Sequence, residues 1–133
     1  MSARTPDSPP IAVVADDDGV TRRVLTMLLE RQRFQVLVAG DGDTALGLIR
    51  SAHPEVVFLD ARMPAPDGFE VCRTIRADLT PDNQPFVFMV TAAGQEADRE
   101  RAAAVGVDEF LTKPFSPSQL SARLGALRQQ GRP

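Results

Sequence analysis

The 133-residue sequence predicts an α/β domain, a doubly wound sheet of five parallel strands in the order 2-1-3-4-5, and two observations carry that expectation. Short apolar runs rich in Val and Phe recur along the chain, as strands covered on both faces require. Between them the apolar residues fall at helical spacing, so strands alternate with helices, and right-handed crossovers then put helices on both faces of one sheet. In such sheets ligands sit beyond the carboxyl ends of the strands, where the order reverses, here between the first and third strands.

Residues 1–10, MSARTPDSPP, have three prolines and no apolar periodicity, and read as a disordered leader ahead of a domain spanning 11–128. The first strand is expected over 11–15, followed by a helix whose stripe is Val20, Val24, Leu25, Leu28 and Leu29. A second strand over 35–39 leads through Asp41 and Gly42 to a helix striped by Ala45, Leu48, Ile49 and Ala52. The third strand, 55–59, precedes a helix carrying Val71, Cys72, Ile75 and Leu79, and the fourth covers 86–90. A fourth helix around 95–105 is Ala-rich and poor in large apolar groups, so it should be the most loosely held. After a weaker strand at 108–111, Ser116, Pro117 and Gln119 supply an N-cap, a first-turn proline and a capping-box partner for a last helix lined by Leu120, Leu124 and Leu127. Residues 129–133 read as a tail or the start of a linker. Cys72 and the methionines are expected in or near the core, and His53 at a solvated helix end.

Composition excludes several classes of function. Cys72 is alone, so no intramolecular disulfide can form, and the longest apolar runs, five residues each, fall far short of a membrane span. The amino terminus lacks a signal-peptide core, so a cytoplasmic protein with no membrane association is expected. Net charge is −3 and the basic residues are dispersed, which argues against direct nucleic-acid binding. Lys113 is the single lysine among fifteen basic residues, which marks its position as one where a point charge matters.

The residues that follow the apolar runs gather chemistry at one edge of the sheet. Asp16, Asp17 and Asp18 follow the first run, Asp60 the third, Thr91 the fourth, and Lys113 lies just past the fifth. Carboxylates brought this close repel unless a cation joins them, and oxygen ligands without His or Cys favour a hard ion such as Mg²⁺. A divalent ion, a carboxylate, an ammonium and a hydroxyl together suit phosphoryl binding and transfer. Asp60, alone at the tip of the central strand, is the best placed nucleophile, and Asp16 and Asp17 the better metal holders. Helix capping with acidic first-turn residues accounts well for Asp18, and turn formation for Asp67 and Gly68, but neither accounts for Asp60.

Together Asp16-Asp17, Asp60-Ala61-Arg62-Met63-Pro64 with Asp67-Gly68, Thr91-Ala92 and Lys113-Pro114-Phe115 resemble the receiver domain of two-component response regulators, over residues 11 to about 128. The resemblance implies a flavodoxin-like (βα)5 fold. It implies that Asp60 accepts a phosphoryl group from a sensor histidine kinase or histidine phosphotransfer protein. Asp17, Asp60 and the Arg62 carbonyl would hold Mg²⁺ (or Mn²⁺), with Asp16 acting through a metal-bound water. Lys113, the Thr91 hydroxyl and the Ala92 amide would contact phosphoryl oxygens, the Lys113–Pro114 bond would be cis, and Phe110 would swing inward as Thr91 moves. The output is then a change of affinity for a downstream effector. A phosphorylation-dependent dimer through the fourth-helix face is a further expectation, one with no apolar stripe behind it.

This sequence departs from the family pattern at Phe110, which has no hydroxyl, and places Arg62 and Ala93 where phosphoryl lifetime is tuned; Arg62 is expected to sit over the phosphoryl group. Two other readings compete. Asp16-Asp17-Asp18-Gly19-Val20 also fits the first motif of haloacid-dehalogenase-like phosphatases, with Asp16 as nucleophile and Asp18 as acid, though Asp60 would then have no task. A receiver fold kept only as an unphosphorylated interaction module is opposed by the intact Asp17, Asp60, Thr91 and Lys113.

Overall fold

Apolar runs too short for a helix pair their backbones instead, and the computed structural model, which describes residues 8–92 and 97–129, shows five of them doing so. Strands Ile11–Ala15 (β1), Gln35–Ala39 (β2), Val56–Asp60 (β3), Phe86–Ala92 (β4) and Glu109–Lys113 (β5) form one parallel sheet in the order β2-β1-β3-β4-β5, as expected. The helices are Gly19–Arg31 (α1), Gly42–Ala52 (α2), Gly68–Asp78 (α3), Ala97–Val105 (α4) and Pro117–Gln129 (α5). The expected leader and tail fall largely on residues 1–7 and 130–133, and the expected start of the fourth helix on 95–96, all outside the described residues.

Side chains alternate between the sheet's two faces, so each central strand feeds two cores. Val13, Val57, Leu59, Val87 and Met89 meet α2, α3 and α4 through Ile49, Phe69, Ile75 and Ala102. Ala12, Val14, Phe58, Phe88 and Val90 meet α1 and α5 through Leu25, Leu29, Leu120 and Leu124. Phe58 and Phe88 stack in parallel across β3 and β4, with ring centroids 4.7 Å apart. The edge strands are less covered: on β2, Val38 is largely exposed, because an edge strand has a neighbour on one side only.

Local capping matches the chemistry of the helix starts. Asp18 caps α1, taking the Val20 amide and the Thr21 hydroxyl, Asp41 caps α2 at the Thr44 amide, and Asp67 and Glu70 form a capping box on α3. The Ser116–Gln119 capping box on α5 is formed as expected. Gly106 ends α4 at φ +90°, a conformation that favours glycine.

Four expectations require correction. Val20 is 66% exposed and Val24 37%, because α1 lies on the sheet through the face of Leu25, Leu28 and Leu29, and Val20 and Val24 fall on a neighbouring face. Met27 is exposed on the same helix, whereas Met63 and Met89 are buried with Cys72. His53 is no solvated end: it is the half-buried C-cap of α2, left-handed at φ 50°, with Nδ1 buried as the chain turns through Pro54 into β3. Finally, strand pairing runs further than the apolar runs. The ladder continues through Asp60 opposite Val90, Thr91 opposite Thr112 and Ala92 opposite Lys113, because backbone hydrogen bonds do not depend on side-chain polarity.

Candidate functional site

Because the ladder holds them, the chemistry-bearing residues sit on rigid strand ends. Asp60 closes β3, Thr91 and Ala92 close β4 and Lys113 closes β5, while Asp16 and Asp17 leave β1. Gly68 lets the first turn of α3 press against this edge: a Cβ there would lie 2.4 Å from the Asp60 carbonyl oxygen and 2.9 Å from Met89 Sδ.

Asp16, Asp17 and Asp60 each bring one carboxylate oxygen within 4.8 Å of the others. Asp16 is 1% exposed; its Oδ1 accepts the Asp18 amide at 2.8 Å, and Lys113 Nζ lies 3.1 Å from its Oδ2. Asp17 is exposed, and the nearly buried Asp60 accepts the Arg62 amide at 3.1 Å. Burial, with the adjacent Asp16 carboxylate adding to it, pushes Asp60 up to about 6, against the pull of the Arg62 amide and Lys113. Three carboxylates gathered this closely, with no nitrogen or sulfur ligand among them, fit a hard divalent cation such as Mg²⁺.

The structure therefore brings together Asp16, Asp17, Asp60 and Lys113, with the lysine facing Asp16. Thr91 and Arg62 both turn to Asp98. The Thr91 hydroxyl donates to Asp98 Oδ2 at 3.1 Å, and Arg62 Nη2 donates to both Asp98 Oδ1 and Oδ2, at 2.8 and 2.9 Å. Arg62 is thus drawn sideways onto α4, because a charge-assisted hydrogen bond to a buried carboxylate is stronger than one to open solvent. Phe110 is half-buried on β5 beneath Arg99, whose guanidinium carbon is 4.8 Å from the ring centre. The Lys113–Pro114 bond is cis. Asp18, the proposed phosphatase acid, is spent on capping α1, and the Thr21 hydroxyl and Val20 amide hold its carboxyl below the usual range.

Sequence reasoning missed Asp98, which is only 4% exposed. Its one signal was an acidic residue in the first turn of an Ala-rich helix, ordinarily a solvated helix start.

Residues 12–125 match the model of the response regulator receiver domain. The chain belongs to this family. The match decides the family in favour of the receiver and against the phosphatase reading. The transcriptional regulatory protein ResD of Bacillus subtilis is 40% identical over 116 residues, covering 86% of this chain and 46% of that protein. The DNA-binding response regulator MtrA of Mycolicibacterium paratuberculosis is 38% identical over 114 residues, 86% of this chain and 49% of that protein. This receiver chain spans about half the length of the curated relatives it matches. Among solved structures, chemotaxis protein CheY4 of Vibrio cholerae superposes with a TM-score of 0.81 at 26% identity, covering 89% of this chain and 98% of that one. The receiver domain of Francisella response regulator 1452 gives 0.80 at 28%, covering 92% and 99%. No helix among the described residues is long and apolar enough to cross a membrane.

Proposed function

We propose that this receiver is a phosphorylation switch in which Asp60 takes a phosphoryl group from the phosphohistidine of a sensor kinase or phosphotransfer protein. The observation that carries the reading is the convergence of Asp16, Asp17 and Asp60 oxygens within 4.8 Å, with the only lysine beside them. An Asp60 carboxylate oxygen forms the new bond to phosphorus, the phosphorus–nitrogen bond breaks, and its electron pair leaves with the imidazole, which takes up a proton. Asp60 is ionised for this above about pH 6. Asp17, Asp60 and the Arg62 carbonyl would hold Mg²⁺ (or Mn²⁺), with Asp16 acting through water, and the bound ion would supply positive charge to offset that of the phosphoryl oxygens. Lys113, already turned toward the acidic cluster, can pair with a phosphoryl oxygen, and the Ala92 amide can donate to another. Thr91 and Phe110 then alter the face made by α4, β5 and α5, and with it the affinity for an effector.

The chemistry is performed on the domain itself, with no turnover of a second substrate. A cytoplasmic setting, a separate or attached effector and a phosphorylation-dependent dimer belong to the same reading. The test is intact mass after incubation with Mg²⁺ and acetyl phosphate. One phosphoryl group is expected on the parent and none on Asp60→Asn; an unmodified parent that binds Mg²⁺ refutes the phosphoacceptor role.

A further inference from the structure

Helix α4 is held to the domain in an unusual way. Among its described side chains only Ala102 and Val105 are buried apolar ones, yet Asp98, in its first turn, is equally buried. A carboxylate is costly to bury unless donors surround it, and Asp98 has three donor contacts: two from the Arg62 guanidinium and one from the Thr91 hydroxyl. Both donor residues also belong to the phosphorylation site. Arg62 gives its backbone amide to Asp60, and Thr91 follows Val90, the residue paired with Asp60 in the sheet.

The Thr91 hydroxyl has a single proton, so it cannot donate to Asp98 and to a phosphoryl oxygen at once. Arg62 Nη2, shared between the two Asp98 oxygens, likewise cannot keep that contact while closing over a phosphoryl group on Asp60. Resting on Asp60 as the phosphoacceptor, we infer that Asp98 is the positioning residue of the resting state, an internal anion that occupies the donors the phosphoryl group needs. Phosphorylation takes those donors away. Asp98 is then a buried carboxylate stripped of its partners, and the cheapest relief is for the first turn of α4 to move toward water. The signal reaches α4 by competition between two anions for the same protons, and reciprocity follows: a partner that holds α4 outward favours phosphorylation. Arg101, which bonds Asp67 at 3.1 Å and lies 4.3 Å from the Phe69 ring centre, tethers the middle of the helix without touching Asp98.

Asp98→Asn keeps the shape and removes the charge. With Mg²⁺ and acetyl phosphate its phosphorylation rate should rise about tenfold, the order set by one opposing charge-assisted hydrogen bond. In a Thr91→Val background the same substitution should give a distinctly smaller gain, because the contested proton is gone. An equal gain in both backgrounds, or none in either, overturns the inference. Amide hydrogen exchange of α4 supplies a readout independent of phosphorylation. Arg62→Gln, at a half-exposed side chain, removes two of the three contacts and should raise α4 exchange in the unphosphorylated protein. Unchanged α4 exchange in both Arg62→Gln and Asp98→Asn refutes the latch even if Asp60 is phosphorylated; faster exchange with no adduct on the parent protein keeps the contact but removes the phosphoacceptor reading.

Discussion

Asp60→Asn should stabilise the resting protein, and the gain should depend on pH. In the folded chain burial and the Asp16 carboxylate raise Asp60 from 3.8 to about 6, so between those values the folded state holds a proton that the unfolded chain has released. Stability therefore falls as pH rises through this window, and stays lower above about 6, where Asp60 is ionised in both states. At about 1.4 kcal/mol per tenfold change in proton affinity, the full difference has an upper limit of about 3 kcal/mol. The site opens to water on the side of exposed Asp17, and screening there brings the expected gain of the amide to about 1–2 kcal/mol, or roughly 3–8 °C in Tm.

The assay is thermal unfolding of parent and variant from pH 3.5 to 8 in EDTA. The two curves should coincide near pH 3.5, separate between about 4 and 6, and run parallel above that with the variant higher. Millimolar Mg²⁺ at pH 7.5 should then raise the parent more than the variant, because a cation bound only by the folded state stabilises it by mass action. A Tm difference that does not change with pH, or a parent more stable than the variant at pH 7.5, refutes the argument that Asp60 is held under electrostatic stress.

Other consequences follow from the packing. Phe88→Ala removes one ring of the stacked pair at the centre of the sheet and should cost about 3–5 kcal/mol, read by urea unfolding. Gly68→Ala forces a Cβ to within 2.4 Å of the Asp60 carbonyl oxygen; it should both lower Tm and slow phosphorylation by acetyl phosphate, since β3 and α3 must separate at the site itself. Arg76→Met keeps the stem but loses donors to the Gly106 and Pro85 carbonyls, Gln84 and Asp108; a loss of about 2–3 kcal/mol is expected, with faster amide exchange around 106–109.

How much of this was legible in the sequence depends on whether a residue's partner is set by the strand order or by the face of a helix. Asp16, Asp60, Thr91 and Lys113 could be gathered from the sequence because a parallel sheet puts every strand's carboxyl end on one edge, and apolar runs show where those ends fall. The strand limits were misjudged by one or two residues, since polarity ends an apolar run but not a ladder: Asp60 and Lys113 are still paired. The α1 stripe failed for a related reason. Val20 and Val24 have helical spacing, but with Met27 they form a face turned away from the one Leu25, Leu28 and Leu29 bury, and spacing alone does not say which of two adjacent faces meets the sheet.

Asp98 shows the stronger form of the same limit. An acidic first turn on an Ala-rich helix reads as a solvated start, and nothing local distinguishes Asp98 from Glu100, which is exposed. What buries Asp98 is the approach of two donors 36 and 7 residues away, both already assigned to the phosphoryl site. The expectation that α4 is loosely held matches its apolar packing, since among its described side chains only Ala102 and Val105 are buried apolar residues. It missed that ion pairs and hydrogen bonds replace the absent Leu and Ile. For a switch that substitution matters physically. Apolar burial responds to no particular ligand, whereas donors bound to a carboxylate can be recruited by a stronger anion placed within reach, so a helix held by Arg62 and Thr91 can be released by a change of charge at Asp60.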